Sequence, residues 1–351
     1  MNGISTVIRN LYENTLYQKD RVTFLFPDQS NSEMVEALRA LGYEVVINSD
    51  RSANTFRYIS FLKRMIRKNG YDIVHVHGSS ATNTVELWAA YLAKAPVRIM
   101  HSHNTSCKHM FIHRMLKPFV NLFSTHRMAC SEEAGHFLFG KKECTVIYNA
   151  FDVSRYIFND GIRRVQRKKL GISDDTVLFG HVGCLNNQKN QIFLIRAFRL
   201  AVEKNPLSHL VLIGEGENRP LLEKEIAENQ LSANVTLMGN CSNVHEILNA
   251  MDCFVFPSLY EGLGIAPIEA QANGLSVLSA SDRIPQMIRI NENFQFLPLS
   301  KGEAAWADAM LRMEKARCVD GAENVRQAGF DITEEATRLH GRYVAMCNRN
   351  K

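Results

Sequence analysis

The sequence lacks the marks of several large protein classes. No Cys-x-x-Cys pair occurs among its eight cysteines, at 107, 130, 144, 184, 241, 253, 318 and 347. That spacing gives neither a zinc-binding pattern nor a disulfide framework. Cys253 lies inside an apolar run, so such cysteines are expected as small core residues of a chain kept in a reducing cytoplasm. No apolar run approaches the ~18–20 residues of a membrane-spanning helix, and no signal peptide is recognisable. Low-complexity tracts and short-period repeats are absent. Asp-x-Asp is absent too, and a metal that bridges a diphosphate usually needs carboxylates near a strand end. Neither sign of charge dominates. The 41 Lys and Arg exceed the 36 Asp and Glu by only five, which suits anionic ligands or an anionic membrane surface but does not demand nucleic acid.

What is there is an ordinary globular composition of 351 residues, 46% hydrophobic and 22% charged, long enough for two domains. Short β-branched runs alternate with helical patterns. Strands are expected at Val22–Phe26, Glu44–Ile47, Ile73–His77, Val97–His101, His126–Ala129 and Thr145–Tyr148. Helices are expected at Ser32–Leu41, Thr55–Lys68 and Thr84–Leu92. After Asp152 a polar, basic stretch interrupts the pattern through Lys169, where Arg163–Lys169 reads as a solvated linker or helix face. The alternation then restarts with strands Val177–Val182, His209–Ile213, Val235–Met238, Cys253–Phe256 and Ser276–Ser279. The helices between them are Gln191–Glu203, Arg219–Asn229, Val244–Met251 and Ala266–Asn273. A last helix covers Thr333–Cys347.

This predicts an α/β fold of two doubly wound, Rossmann-like domains facing a cleft, with parallel sheets covered by helices. The domains expected are 1–155, 156–332 and a closing segment 333–351. The opening Met1-Asn2-Gly3-Ile4-Ser5-Thr6 reads as a glycine loop and helix whose strand should precede it. The expectation is that the numbering begins inside the natural domain, or that the first domain is unusual.

The densest chemistry lies in Tyr260–Ala280. Glu261 and Glu269 stand eight positions apart, with Gly262, Leu263, Gly264 and Pro267 between them, just after the apolar run that ends in Pro257-Ser258. This reads as strand, glycine turn, helix start. Such a turn lets backbone approach a ligand, and a helix N-terminus offers N–H groups to phosphate. Glu269 is expected about two turns into the helix, within reach of ribose hydroxyls.

Residues 181–190 repeat the theme. Gly183 and Cys184 follow a strand, and Lys189 opens a helix, so backbone donors and a point charge suit a diphosphate; a solvent-exposed lysine is the plainer reading. Gly214 and Gly239 mark two further turns, the second running to Val244, where backbone groups can face a base. In the first half His101 and His103 share a strand face. They read as a cleft-facing substrate contact, a hydrogen-bonding pair, or metal ligands for which no convincing third and fourth partner is found. His75 and His77 close another strand and read as structural. Phe56–Lys68 and Lys108–Phe123 mix basic and large apolar residues. Each is a helix with one core face, or an interfacial patch for a lipid-linked substrate.

The Glu-x7-Glu segment EGLGIAPIEAQANGLSVLSA, preceded by FVFPSLY, resembles the signature of the retaining family 4 glycosyltransferases, whose two-domain architecture is called GT-B. The resemblance covers nearly the whole chain. VIYNAFDVSRY, GCLNNQKNQIFLIRAF, VLIGEGENRPLLE and FDITEEATRLHGRYVAM match successive family segments, and NGISTVIRNLY matches its glycine loop and first helix. The nearest subset builds bacterial capsular and exopolysaccharides. The resemblance implies that Glu269 holds the donor ribose, that Glu261 lies beside the transferred sugar, and that the backbone of Gly262, Leu263 and Gly264 meets its hydroxyls or the diphosphate. It implies diphosphate binding by Lys189, a donor-sugar contact by His103, and a place for Gly3 where donor phosphate meets acceptor. The first domain then takes the acceptor, the second the donor, and the closing helix crosses back onto the first.

Two positions depart from the family pattern. An arginine usually stands five residues before the lysine; here it is Cys184. A glycine pair and a glutamate are replaced by Asn2-Gly3 and Ser5. Loss of one charge-assisted contact weakens leaving-group stabilisation by roughly 1.5–3 kcal/mol.

The expected activity is metal-independent, retaining transfer from a nucleoside-diphosphate sugar, a UDP-sugar, to a lipid-linked saccharide in cell-surface polysaccharide synthesis. No other cofactor and no nucleic acid partner is expected. The location is cytoplasmic, with peripheral contact at the inner face of the plasma membrane as an extension. The alternatives are a UDP-GlcNAc 2-epimerase-like isomerase and a catalytically weakened nucleotide-sugar-binding protein.

Overall fold

The structure, a computed structural model, describes residues 8, 10–12, 20–27, 32–107 and 109–348. The chain divides into two compact units, Met1–Phe151 with Gly329–Lys351, and Asp152–Ala328.

In the first unit, β1 (Thr23–Phe26) and β2 (Glu44–Ile47) form a parallel pair. β3 (Ile73–Gly78), β4 (Val97–Ser102), β5 (His126–Ala129) and β6 (Thr145–Val146) pair in that order, all parallel. Helix Thr55–Asn69 starts where the Asn54 side chain accepts from Arg57 N, and it ends at Gly70 with φ 64°. Those are the cap types that local sequence favours. Its buried stripe, Tyr58, Ile59, Leu62 and Ile66, packs against Ala89, Ala90 and Ala93 of helix Thr84–Ala93. Small residues on one side let large ones fill the other. The closing helix Ile332–Asn348 belongs to this unit, tied in where Ile332 N donates to Phe151 O at 3.0 Å.

In the second unit, β7 (Val177–Val182), β8 (Ser208–Ile213), β9 (Val235–Gly239), β10 (Cys253–Phe256), β11 (Ser276–Ala280) and β12 (Phe294–Leu297) form one parallel sheet. The order is β12-β11-β10-β7-β8-β9. The chain therefore winds one way from β7 and the other way from β10. Ligands of open parallel sheets bind at the carboxyl ends beside that reversal. All four residues of β10 and all five of β11 are buried, because helices cover both faces; such strands read as runs and do not alternate.

The basic stretch after Asp152 is not a solvated linker. Residues Asp160–Leu170 form a helix whose Asn159 cap accepts from Ile162 N. Arg167 is 2% exposed and donates to Asp252 Oδ2 at 3.2 Å and to Ala250 O at 2.9 Å. Arg163 donates to Asp252 Oδ1 at 2.6 Å and to Met251 O at 2.9 Å. Two arginines thus hold the C-terminal end of helix Val244–Ala250, where unpaired carbonyls and the helix dipole favour cations.

Candidate active site

The loops after β7 and β10 meet at the reversal point of the second unit. Leu259 N donates to Gln188 O at 2.8 Å, Gln188 Nε2 to Tyr260 O at 2.9 Å, and Asn190 Nδ2 to Pro257 O at 3.2 Å. Asn190, at φ 57°, turns the chain into helix Gln191–Lys204. That turn aims the Lys189 side chain back across the sheet end. Its Nζ lies 2.6 Å from Glu261 Oε1 and 5.0 Å from the centroid of the Phe256 ring. Gln188 Nε2 reaches Glu261 Oε2 at 3.2 Å. Lys189 and Glu261, read from separate motifs, form one ion pair. Gln188 was not singled out in the sequence, although it adjoins the lysine.

The three glycine turns abut in the order of their strands. Gly183 N donates to Ile213 O at 3.0 Å and Gly214 N to Gly239 O at 2.9 Å. Gly214 has φ +136°, and a Cβ there would collide with Gly183 O. Only glycine allows this approach. Cys184 is exposed, and its carbonyl is held by Gln191 Nε2 at 3.0 Å. Val244 is the first residue of helix Val244–Ala250.

Beyond Gly264, which adopts φ +87°, begins helix Ile265–Ala272. Glu269 therefore sits about one turn into the helix, not two, the helix starting within one residue of the expected Ala266. Leu263 is 1% exposed, so its side chain belongs to the core. Glu269 Oε1 accepts from the Tyr156 hydroxyl at 2.7 Å. Burial pushes the Glu269 carboxyl above the usual carboxylate range, and the hydrogen bond opposes this. Burial and the neighbouring carboxylate push the Tyr156 hydroxyl up in turn. Tyr156 ends the segment VIYNAFDVSRY, from which no role for it follows; it stands in a short turn 113 residues from its partner.

In the first unit, His75 and His77 of β3 lie beside His101 of β4, and His77 is the register partner of His101. β4 ends at Ser102, yet the rings of His101 and His103 remain 4.2 Å apart. His77 Nδ1 and His103 Nε2 are 2.9 Å apart, and His75 Nδ1 lies 2.5 Å from the Tyr343 hydroxyl. Burial lowers all four pKa values, to about 3 for His75 and about 4 for His103, and well below the usual range for His77 and His101. The four rings are neutral at pH 7. Gly3, with Asn2 and Ser5, lies outside the described residues.

Parallel βα sheets of this kind, the one in the second unit with a glycine-built, ion-paired strand end, define the doubly wound α/β class. Comparison with known proteins narrows it. Residues 1–155 match the model for glycosyltransferase family 4, and residues 162–330 match that for glycosyl transferases group 1. EpsF of Bacillus subtilis is 30% identical over 96% of this chain and 92% of its own length. The Escherichia coli UDP-Gal:α-D-GlcNAc-diphosphoundecaprenol α-1,3-galactosyltransferase is 27% identical over 81% of this chain and 78% of its own. HepE of Anabaena, solved in complex with UDP, superposes with a TM-score of 0.80 at 17% identity, covering 98% of this chain and 96% of its own.

The chain belongs to glycosyltransferase family 4, in the company of bacterial polysaccharide enzymes, and has the GT-B fold with its two Rossmann-like domains. It is a glycosyltransferase of the hexosyltransferase type. Among the described residues no helix is long and apolar enough to cross a membrane.

Proposed function

We propose that the second unit binds a UDP-sugar at the carboxyl ends of β7 and β10, and that the enzyme transfers the sugar, with retained configuration, to a lipid-linked saccharide of cell-surface polysaccharide synthesis. The observation that carries this reading is the Lys189–Glu261 pair at 2.6 Å, set where the strand order reverses and where three glycine turns abut. A lysine is a compact charge on a flexible stem and can exchange one anion for another. On donor binding its ammonium turns from Glu261 to the diphosphate, with backbone N–H groups of the glycine turns beside it. Glu261 is then released toward the sugar hydroxyls. The Glu269 carboxylate takes the ribose hydroxyls, either displacing the Tyr156 hydroxyl or sharing the carboxylate with it.

In the transfer step the bond from C1 of the sugar to the diphosphate oxygen breaks while the acceptor oxygen bonds to C1 on the same face. The acceptor proton passes to the departing phosphate oxygen. The protein's main contribution is charge placed in advance where the leaving group develops it. No metal is needed for this reading, since Lys189 and backbone donors supply the positive potential.

On the acceptor side, helix Met110–Phe123 of the first unit exposes Phe111 (76%), Met115 (61%) and Leu122 (65%). Arg114 is exposed on the same helix. An apolar stripe with a basic residue beside it suits the surface of an anionic bilayer. It supports a lipid-linked acceptor and peripheral membrane contact. The names of the diphosphoundecaprenol-linked relative and of the UDP-bound neighbour point the same way.

The test is incubation with a panel of nucleotide sugars and a polyprenyl-diphosphate saccharide, with the product's anomeric configuration read by NMR. Transfer from a UDP-sugar with the donor's configuration is expected. Inverted product, or epimerised nucleotide sugar formed without acceptor, overturns the proposal.

A further inference from the structure

The histidine row of the first unit holds more than the reaction requires. His75, His77 and His101 bring one ligand nitrogen each to within 4.8 Å of one another, the one such group among the described residues. The sequence offered two pairs at i and i+2 and no third ligand. The parallel register supplies it by setting His77 directly beside His101. His101 is 0% exposed, and neither of its ring nitrogens has a hydrogen-bond partner. A buried polar group left without a partner costs about 1–3 kcal/mol, so a row of such groups calls for something to satisfy them.

The hydrogen bonds around the row engage the Nδ1 atoms of two of its members. His75 Nδ1 is engaged by the Tyr343 hydroxyl at 2.5 Å and His77 Nδ1 by His103 Nε2 at 2.9 Å. With the proton on each Nδ1, both Nε2 lone pairs are left for a ligand, and His75 Nε2 is itself buried and unpartnered. Metal-bound imidazoles commonly donate their second N–H to such an outer group, which fixes tautomer and ring orientation. Two histidines from one strand and a third from its neighbour provide three imidazoles with a fourth position open.

We propose that His75 Nε2, His77 Nε2 and a ring nitrogen of His101 form a binding site for a borderline divalent transition-metal ion of the Zn2+ type, with Tyr343 and His103 as outer partners. At ~2.0–2.1 Å from each nitrogen, a tetrahedral ion brings the three to about 3.4 Å apart. The rings must therefore close by roughly an ångström and splay from their present stack, in which His75 and His77 lie 4.0 Å apart at 23°. The site lies within the first unit. Its effect is to hold β3, β4 and the closing helix together and to fix the ring of His77 against His103.

The test uses the full chain, stripped with chelator and titrated with Co2+ and then with Zn2+. Expected are the visible absorption bands of four-coordinate Co2+ at one equivalent, their loss on adding Zn2+, and a rise in Tm with Zn2+. His101→Gln and His77→Asn, each checked by circular dichroism, should bind at least a hundredfold more weakly. His109→Ala, on the surface, should bind as the wild type does. Absence of the bands in the wild type, or equal bands in folded His101→Gln, overturns the proposal.

Discussion

β10 carries a carboxylate and its cations at each end, and the two ends are built differently. At the amino end Asp252 accepts from Arg163 at 2.6 Å, from Arg167 at 3.2 Å and from Leu178 N at 2.7 Å. Arg317 adds bonds to the carbonyls of Asn249 and Met251, at 2.9 and 2.7 Å. Burial lowers the Arg317 pKa to about 9. At the carboxyl end Glu261 meets one lysine and one glutamine. Rigid guanidinium forks that also cap a helix make a fixed joint. A single ammonium on a flexible stem makes an exchangeable one. One strand thus separates what holds the unit together from what is free to change partner.

The largest effect should come from breaking the fixed end. Asp252→Ala leaves two arginines buried without their carboxylate, and loss of one partner from a buried pair costs about 3–5 kcal/mol. Urea unfolding should show that loss. A loss below about 1 kcal/mol would erase the contrast between the two ends. Lys189→Met should act in the opposite sense, lowering kcat/KM about ten- to a hundredfold, the worth of one charge-assisted contact. Its stability loss should be at most about half that of Asp252→Ala, since Gln188 still donates to Glu261. Cys184→Arg should raise kcat/KM up to about tenfold by restoring a second cation beside the diphosphate. Steady-state kinetics on both variants decide the matter.

The smallest effect concerns Glu269. Its folded-state pKa is raised above the unfolded value near 4.5 by burial. The native state therefore binds the extra proton, and stability falls as pH rises from 4.5 through the raised value. Glu269→Gln removes that ionisation. It should give a small stability gain at pH 7 to 8 that vanishes as pH is lowered to about 4.5, measured by Tm against pH. A gain independent of pH would mean that ionisation is not its source.

The fold was largely legible because each buried parallel strand reads as an apolar run closed by a glycine or polar turn. Val177–Val182 and Cys253–Phe256 fall where the pattern puts them. The family was legible through the Glu-x7-Glu segment. What stayed hidden depends on distant partners. A basic helix does not say which arginines turn inward; Arg163 and Arg167 do so because Asp252, more than 80 residues away, lies between them. Tyr156 closes a family-like segment that says nothing of its role, which appears only where its hydroxyl meets Glu269. The histidines were visible as two pairs, but only strand register joins them.

The exchangeable end of β10 is expected to receive the donor. Amide hydrogen exchange with and without UDP tests it most directly. Protection is expected at residues 183–190, 214–219 and 257–269, with none at the amino end of β10 around residues 249–253, and Glu269→Ala should abolish it. Protection confined to the first unit, or unchanged protection in Glu269→Ala, would contradict the account.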